Sequence, residues 1–169
     1  MAHFPSLEPA FTMQVKIKPP TAVGSFSRGT KLMVTPMISG IIESESTFSP
    51  ALSGEFVGQG NDYIHVDPDG EHLRLDAHGV IKTRDDVTIY LNYTGIVDMT
   101  PAVEAIMSGE SESMVTSFGN SFIHLTFETG DEKYASLETG VWVGGGHFIY
   151  EKGEAPIVEY KVSKVTFKS

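Results

Sequence analysis

The chain has no cysteine, which excludes a disulfide framework, a thiolate metal site and a thiol nucleophile. Basic residues are scarce. Twelve Lys and Arg stand against 22 Asp and Glu, a formal charge of −10, which argues against nucleic acid or an anionic membrane as a partner. An acidic surface in itself serves solubility. No apolar run approaches the roughly 20 residues that span a bilayer, and no basic segment followed by an apolar stretch opens the chain. A cytoplasmic protein is the expectation. Helix signals are also few: only Ala102 to Ser108, behind Thr100 as N-cap and Pro101 at the first helical position, has a helical start.

Motifs for bound cofactors and familiar nucleophiles are missing as well. Gly144-Gly145-Gly146 has neither the Lys and Ser/Thr of a phosphate loop nor a βαβ setting, and there is no GxSxG elbow. No cofactor is expected. His65, Asp67, His78 and His124 have no recognisable ligand spacing, and Asp67-Pro68-Asp69-Gly70-Glu71 lacks the 12-residue calcium pattern, so no metal site is expected.

What the chain does have is alternation. Its 169 residues fit one domain, and segments of period 2 recur between turn signals such as Asp67-Pro68-Asp69-Gly70. The segments read as strands are 13–17, 31–38, 40–44, 51–57, 62–66, 72–84, 87–92, 121–128, 134–143, 147–151 and 158–167, with residues 1–12 as an N-terminal arm. Many strands with almost no helix point to an all-β domain, a single antiparallel barrel with one short helix.

The two faces of the longer strands differ. Leu73, Leu75, Ala77 and Ile81 oppose Arg74, Asp76, His78 and Lys82; Ile89 and Leu91 oppose Tyr90 and Asn92. Ile123, Leu125 and Phe127 oppose Phe122, His124 and Glu128. Ala135, Leu137, Val141 and Val143 oppose Tyr134, Ser136, Glu138 and Trp142. Periodicity alone suits a core face and a solvated face. The aromatics Tyr90, Phe122 and Trp142 on the polar face suit a ligand cavity instead. In that arrangement the aliphatic face needs a cover: the arm, the helix or a second copy in a homodimer.

The order Gly60-Asn61-Asp62-Tyr63, Asp69-Gly70, Leu75-Asp76-Ala77-His78, Lys82-Thr83-Arg84-Asp85-Asp86 and Ile89-Tyr90 resembles the DUF3237 (UPF0311) family. Phe127-Glu128-Thr129-Gly130, Tyr134-Ala135-Ser136-Leu137 and the glycines 144 to 146 extend the resemblance, which covers roughly residues 30 to 165. It implies a small lipocalin-like β-barrel and leaves the activity undefined. The family pattern has tryptophan where Tyr63 stands, arginine where His78 stands and near Phe122, and tryptophan and asparagine where Ser136 and Glu138 stand. These departures imply a specialised pocket.

Asp76 and His78 are two apart on one strand face, with Tyr90 across the hairpin, an arrangement in which a carboxylate orients an imidazole for proton transfer. His124 and Glu138 share that face class. Two hypotheses follow. In the first, a small, partly apolar metabolite bound in the lumen is isomerised or cyclised without a cofactor, as in a tailoring step of secondary metabolism. Asp76, His78, Tyr90, His124 and Glu138 are then catalytic, and Asp62, Tyr63, Asn92, Phe122 and Trp142 bind the substrate. In the second, the aromatic lining holds such a molecule as a non-catalytic carrier.

Overall fold

The computed structural model describes residues 3–167, in which the alternating segments become eleven strands. They are β1 (Ser6–Ile17), β2 (Thr21–Ala22), β3 (Lys31–Ser44), β4 (Ser53–Phe56), β5 (Gly60–Val66), β6 (His72–Thr83), β7 (Thr88–Asp98), β8 (Met114–Val115), β9 (Ser121–Thr129), β10 (Trp142–Tyr150) and β11 (Ile157–Thr166). Around the wall the order is β1, β11, β10, β9, β7, β6, then β4 and β5 sharing one position, then β3. β1 pairs antiparallel with both β11 and β3, so the sheet closes on itself. The expected antiparallel barrel is therefore the observed one. Its α-helix, α1 (Pro101–Ser108), starts where the sequence places it, with the Thr100 hydroxyl accepting the Val103 amide.

Local chemistry accounts for the connections. At the β5–β6 turn, Gly70 takes φ +80° and its amide donates to the Asp67 carbonyl at 2.9 Å, closing the hairpin. β3 runs unbroken through Gly40, where an added Cβ would lie 2.4 Å from the Gln14 carbonyl and 2.7 Å from the Phe56 ring. Only glycine fits there, where β3 passes from β5, paired up to Met37, to β4, paired from Ile41, while its other edge stays on β1.

Three expectations change. Residues 6–12 are not an arm but the first half of β1, with the β1–β11 register shifting between Pro9 and Phe11, beside a proline that has no amide to give. The two segments 31–38 and 40–44 are one strand. Residues 134–143 are not a strand: Glu132–Leu137 form a 3-10 helix capped by Asp131, and the next strand begins at Trp142. The three-residue spacing of the buried Tyr134 and Leu137 follows that helix.

The largest change is which face looks inward. Leu73, Leu75, Ala77, Ile81, Ile89, Leu91, Ile123, Leu125 and Phe127 are all buried in the barrel core. A barrel with eight strand positions has an interior only wide enough for side chains to fill, so burying the aliphatic face inside removes the most apolar area from water. The mixed face is outside. No arm, helix or second subunit is then needed to cover aliphatic side chains. α1 closes one end with Val103, Ile106 and Met107. The other end is closed by Leu52 and by an aromatic cluster in which Phe11, Phe48 and Phe127 surround Trp142 at centroid distances of 5.6 to 6.0 Å.

Among the described residues, no helix is long and apolar enough to cross a membrane.

Candidate functional site

The register of β6, β7 and β9 sets the outer wall in rows: Asp76 opposite Thr94 and Thr94 opposite His124, then His78 opposite Asn92. Tyr90 lies diagonally from His78 on the neighbouring strand, within reach of a long side chain. The His78 Nδ1 is 2.6 Å from the Tyr90 hydroxyl, and its Nε2 is 3.0 Å from Asp76 Oδ1. Three of the five residues expected to be catalytic form one chain.

Hydrogen-bond chemistry orders that chain. An ionised Asp76 carboxylate can only accept, so Nε2 carries a proton toward it, leaving Nδ1 to accept from the phenol. Asn92 Nδ2 donates to Asp76 Oδ1 at 3.0 Å and to the Ala77 carbonyl at 2.9 Å, which fixes the carboxylate from the other side. Tyr63 packs edge-on against the imidazole at 6.0 Å. The result is a phenol–imidazole–carboxylate relay, an arrangement whose chemistry allows an imidazole to take a phenol's proton while a carboxylate balances the imidazolium.

The relay is open to solvent, with the Asp76 and His78 side chains 54% and 42% exposed. Beside it runs a groove of about 1000 Å³ on the outer wall, whose lining includes Arg74, Thr94, Ile96, Phe122, His124 and Lys161. No member of the relay lines the groove itself; the two are linked by Thr94, a groove residue that is the cross-strand partner of Asp76. Gly95 sits in the groove floor, where an added Cβ would lie 2.3 Å from the Phe122 carbonyl oxygen, so only glycine keeps β7 and β9 this close.

The other expected residues scatter. Phe122, 61% exposed, lies in the groove with His124. Glu138 ends the 3-10 helix and its Oε1 accepts the Thr129 amide at 2.7 Å, a structural task. Trp142 is in the core, with Nε1 donating to the Leu137 carbonyl at 2.9 Å. Both were expected on a cavity wall: Glu138 is moved off it by the 3-10 helix that replaces most of the expected 134–143 strand, while Trp142 does point into the barrel but is packed among Phe11, Phe48 and Phe127. Asp62 points inward and is 6% exposed; burial pushes its carboxyl up to about 7, the Asp76 amide pulls it down, and the Asp76 charge adds to the rise. The lumen thus holds Asp62 and Trp142 of the ten, not all of them.

Three of the four residues weighed as metal ligands have separate partners: His65 Nδ1 meets the Thr30 hydroxyl at 2.9 Å, Asp67 is engaged by Arg74, and His78 belongs to the relay; the fourth, His124, lines the groove. The Arg74 guanidinium holds the Asp67 carboxyl below its ordinary range. Thr35, Tyr93 and Tyr160 turn into the lumen near Asp62 and were missed. Their signal was phase: Tyr93 falls in step with Ile89 and Leu91, and Tyr160 with Val158 and Val162, polar atoms on an aliphatic face.

No curated protein sequence matches this chain. Among solved structures, the fold is similar to a conserved protein of unknown function from Rhodopseudomonas palustris, with 21% identity, TM-score 0.77 and coverage of 97% of this chain and 99% of that one. It is similar also to a beta-barrel like protein from Acinetobacter baumannii AYE, at 24% identity, TM-score 0.72 and coverage of 98% and 99%. An enzyme from Penicillium herquei matches at 20% identity, TM-score 0.62 and coverage of 98% and 97%. These likenesses establish the fold. The profile of a family of unknown function matches residues 5–165, and the chain accordingly belongs to the DUF3237 family.

Proposed function

We propose that the protein is a cofactor-independent enzyme that isomerises or cyclises a small, partly apolar molecule by general acid/base catalysis on the outer barrel wall. The observation that carries this reading is the Tyr90–His78–Asp76 chain at 2.6 and 3.0 Å beside a groove with apolar walls. The chain exchanges a proton with the substrate at its Asp76 end, the one nearest the groove: the Asp76 carboxylate, positioned by Asn92, takes or returns the proton, and the His78 imidazole, bonded to Tyr90, balances the change in charge. Phe122 and Ile96 offer the apolar body of the substrate a surface, and His124 is a second proton-transfer group for the far end of the molecule. Such a step balances within the substrate, because a proton removed at one atom is delivered to another. The fold neighbour from Penicillium herquei that is described as an enzyme is in keeping with the reading.

The test is exchange of α-protons in D2O for a panel of small enolisable aryl ketones, followed by NMR, since proton abstraction is the step common to isomerisation and cyclisation. Wild type is expected to accelerate exchange of at least one member. His78→Ala and Tyr90→Phe should lose roughly 100-fold of that rate, and Glu138→Gln should retain it. Saturable binding with no exchange above that of His78→Ala for any ketone would leave the carrier reading in its place.

A further inference from the structure

Inside the barrel, Thr35 of β3, Asp62 of β5, Tyr93 of β7 and Tyr160 of β11 are polar side chains gathered around one chamber of about 30 Å³. Thr35 is 1% exposed and its hydroxyl has no hydrogen-bond partner among the described residues. A buried hydroxyl left unpaired is costly, and native folds keep few of them. Asp62 accepts one hydrogen bond there, from the Asp76 amide at 2.9 Å. The Tyr93 hydroxyl donates to the Met37 thioether at 3.4 Å, a weak acceptor. Three elements thus present polar groups whose hydrogen-bonding capacity is underused.

A chamber of this size holds water or the polar head of a larger molecule. Its boundary toward α1 is thin. Ile17 and Met107 line both the chamber and an open cleft of about 350 Å³ formed by α1, the Lys18–Pro20 stretch and the Gly153–Pro156 turn. Two side chains therefore separate the lumen from solvent, and one is an unbranched thioether able to swing aside without disturbing a strand.

We propose that this level of the lumen is a binding site for a small neutral molecule carrying a hydroxyl or carbonyl on a compact apolar body, admitted past Met107 from the α1 end. The head group bonds to the Thr35 hydroxyl and the Asp62 carboxyl, and the body occupies the volume Met107 vacates, against Leu73, Val97 and Val158. The chemistry of the lining selects neutrality. Neither Lys nor Arg lines the chamber, so an anion has no countercharge, and an amine would need an ionised Asp62, which burial opposes. The site lies on the opposite side of the wall from the relay and does not depend on it.

Phenol and cyclohexanone serve as probes, titrated at pH 6 by NMR into wild type, Thr35→Val and Met107→Ala. Saturable shifts are expected at the Thr35, Asp62 and Tyr93 amides and the Met107 methyl, and not at Thr94 or Phe122. Thr35→Val should raise the melting temperature of the unliganded protein, because it removes the unpaired hydroxyl, and should weaken both probes about tenfold, the upper end of what one hydrogen bond contributes. Met107→Ala should bind and release them faster. Lumenal resonances unmoved at tens of millimolar probe in both wild type and Met107→Ala, leaving the chamber to water alone, would overturn the proposal, as would unchanged affinity in Thr35→Val.

Discussion

Asp62 and Asp76 meet through the barrel wall: the inward carboxyl of the first accepts the backbone amide of the second at 2.9 Å, while the second's own carboxyl points outward to His78. Between the pairs Asp62–Ala77 and His65–Arg74 the β5–β6 ladder has no residue pair. At that gap the Asp62 side chain takes over a hydrogen bond the strand would otherwise make. One strand, β6, thereby carries the relay on its outer face and supplies the only hydrogen bond that the lumenal carboxyl accepts among the described residues.

The buried carboxyl makes stability depend on pH. With its pKa raised from 3.8 to about 7, chiefly by burial, Asp62 stays protonated in the folded chain over a window in which the unfolded chain has released its proton. Stability therefore falls as pH rises from about 4 to about 7, and the loss is complete above that, up to about 4 kcal/mol. Asp62→Asn keeps an acceptor for the Asp76 amide and cannot ionise. In urea unfolding at pH 5 and pH 8, wild type is expected to lose stability between the two and Asp62→Asn to lose much less. Parallel losses in both proteins would show that the carboxyl is not the source.

Trp142 offers a test of which face is inside. Its indole is 1% exposed, packed by Phe11, Phe48 and Phe127 and anchored on the Leu137 carbonyl. Trp142→Ala should destabilise the fold by about 3–5 kcal/mol and loosen the end of the barrel away from α1. The measurement is the urea midpoint. A loss below about 1 kcal/mol would mean the ring lines a ligand cavity, as its place in the alternation suggested.

The sequence carried the barrel because period-2 patterning survives through β6, β7 and β9, though it breaks phase in β1 and β3, and it carried the Asp76–His78–Tyr90 constellation because strand spacing and one hairpin bring those three together. It did not carry the direction of the faces. Alternation divides a strand into two sides without saying which is concave, and the half-buried Tyr90 and the exposed Phe122 mimicked a lining. Glu138 and Trp142 were misplaced for another reason: Tyr134 and Leu137 are buried at a spacing of three, which an apolar run read with period 2 conceals. Thr35, Tyr93 and Tyr160 were legible only as polar atoms in phase with aliphatic ones, a signal that gains meaning once that face is known to be interior.

The last prediction concerns the segment along one edge of the groove. His147, its side chain 11% exposed, has Nδ1 3.0 Å from the Thr116 carbonyl and Nε2 3.3 Å from Glu159 Oε1, and its ring lies flat against Phe118 at 4.0 Å. Burial pushes the Glu159 carboxyl up, but Gln14 and His147 outweigh it and hold the group below its ordinary range. Together with the Thr116 hydroxyl, which accepts the Phe148 amide, this side chain ties β8 and residues 116–118 to β10, just ahead of Gly119 and Asn120, which line the groove. His147→Ala removes the carbonyl contact and the stacked ring but leaves the β9 and β10 ladders intact. Amide exchange in residues 114–118 should then quicken by about tenfold or more, while β6 and β7 exchange as in wild type. Unchanged protection of that segment would mean that the strand pairing of β8 holds it without the imidazole.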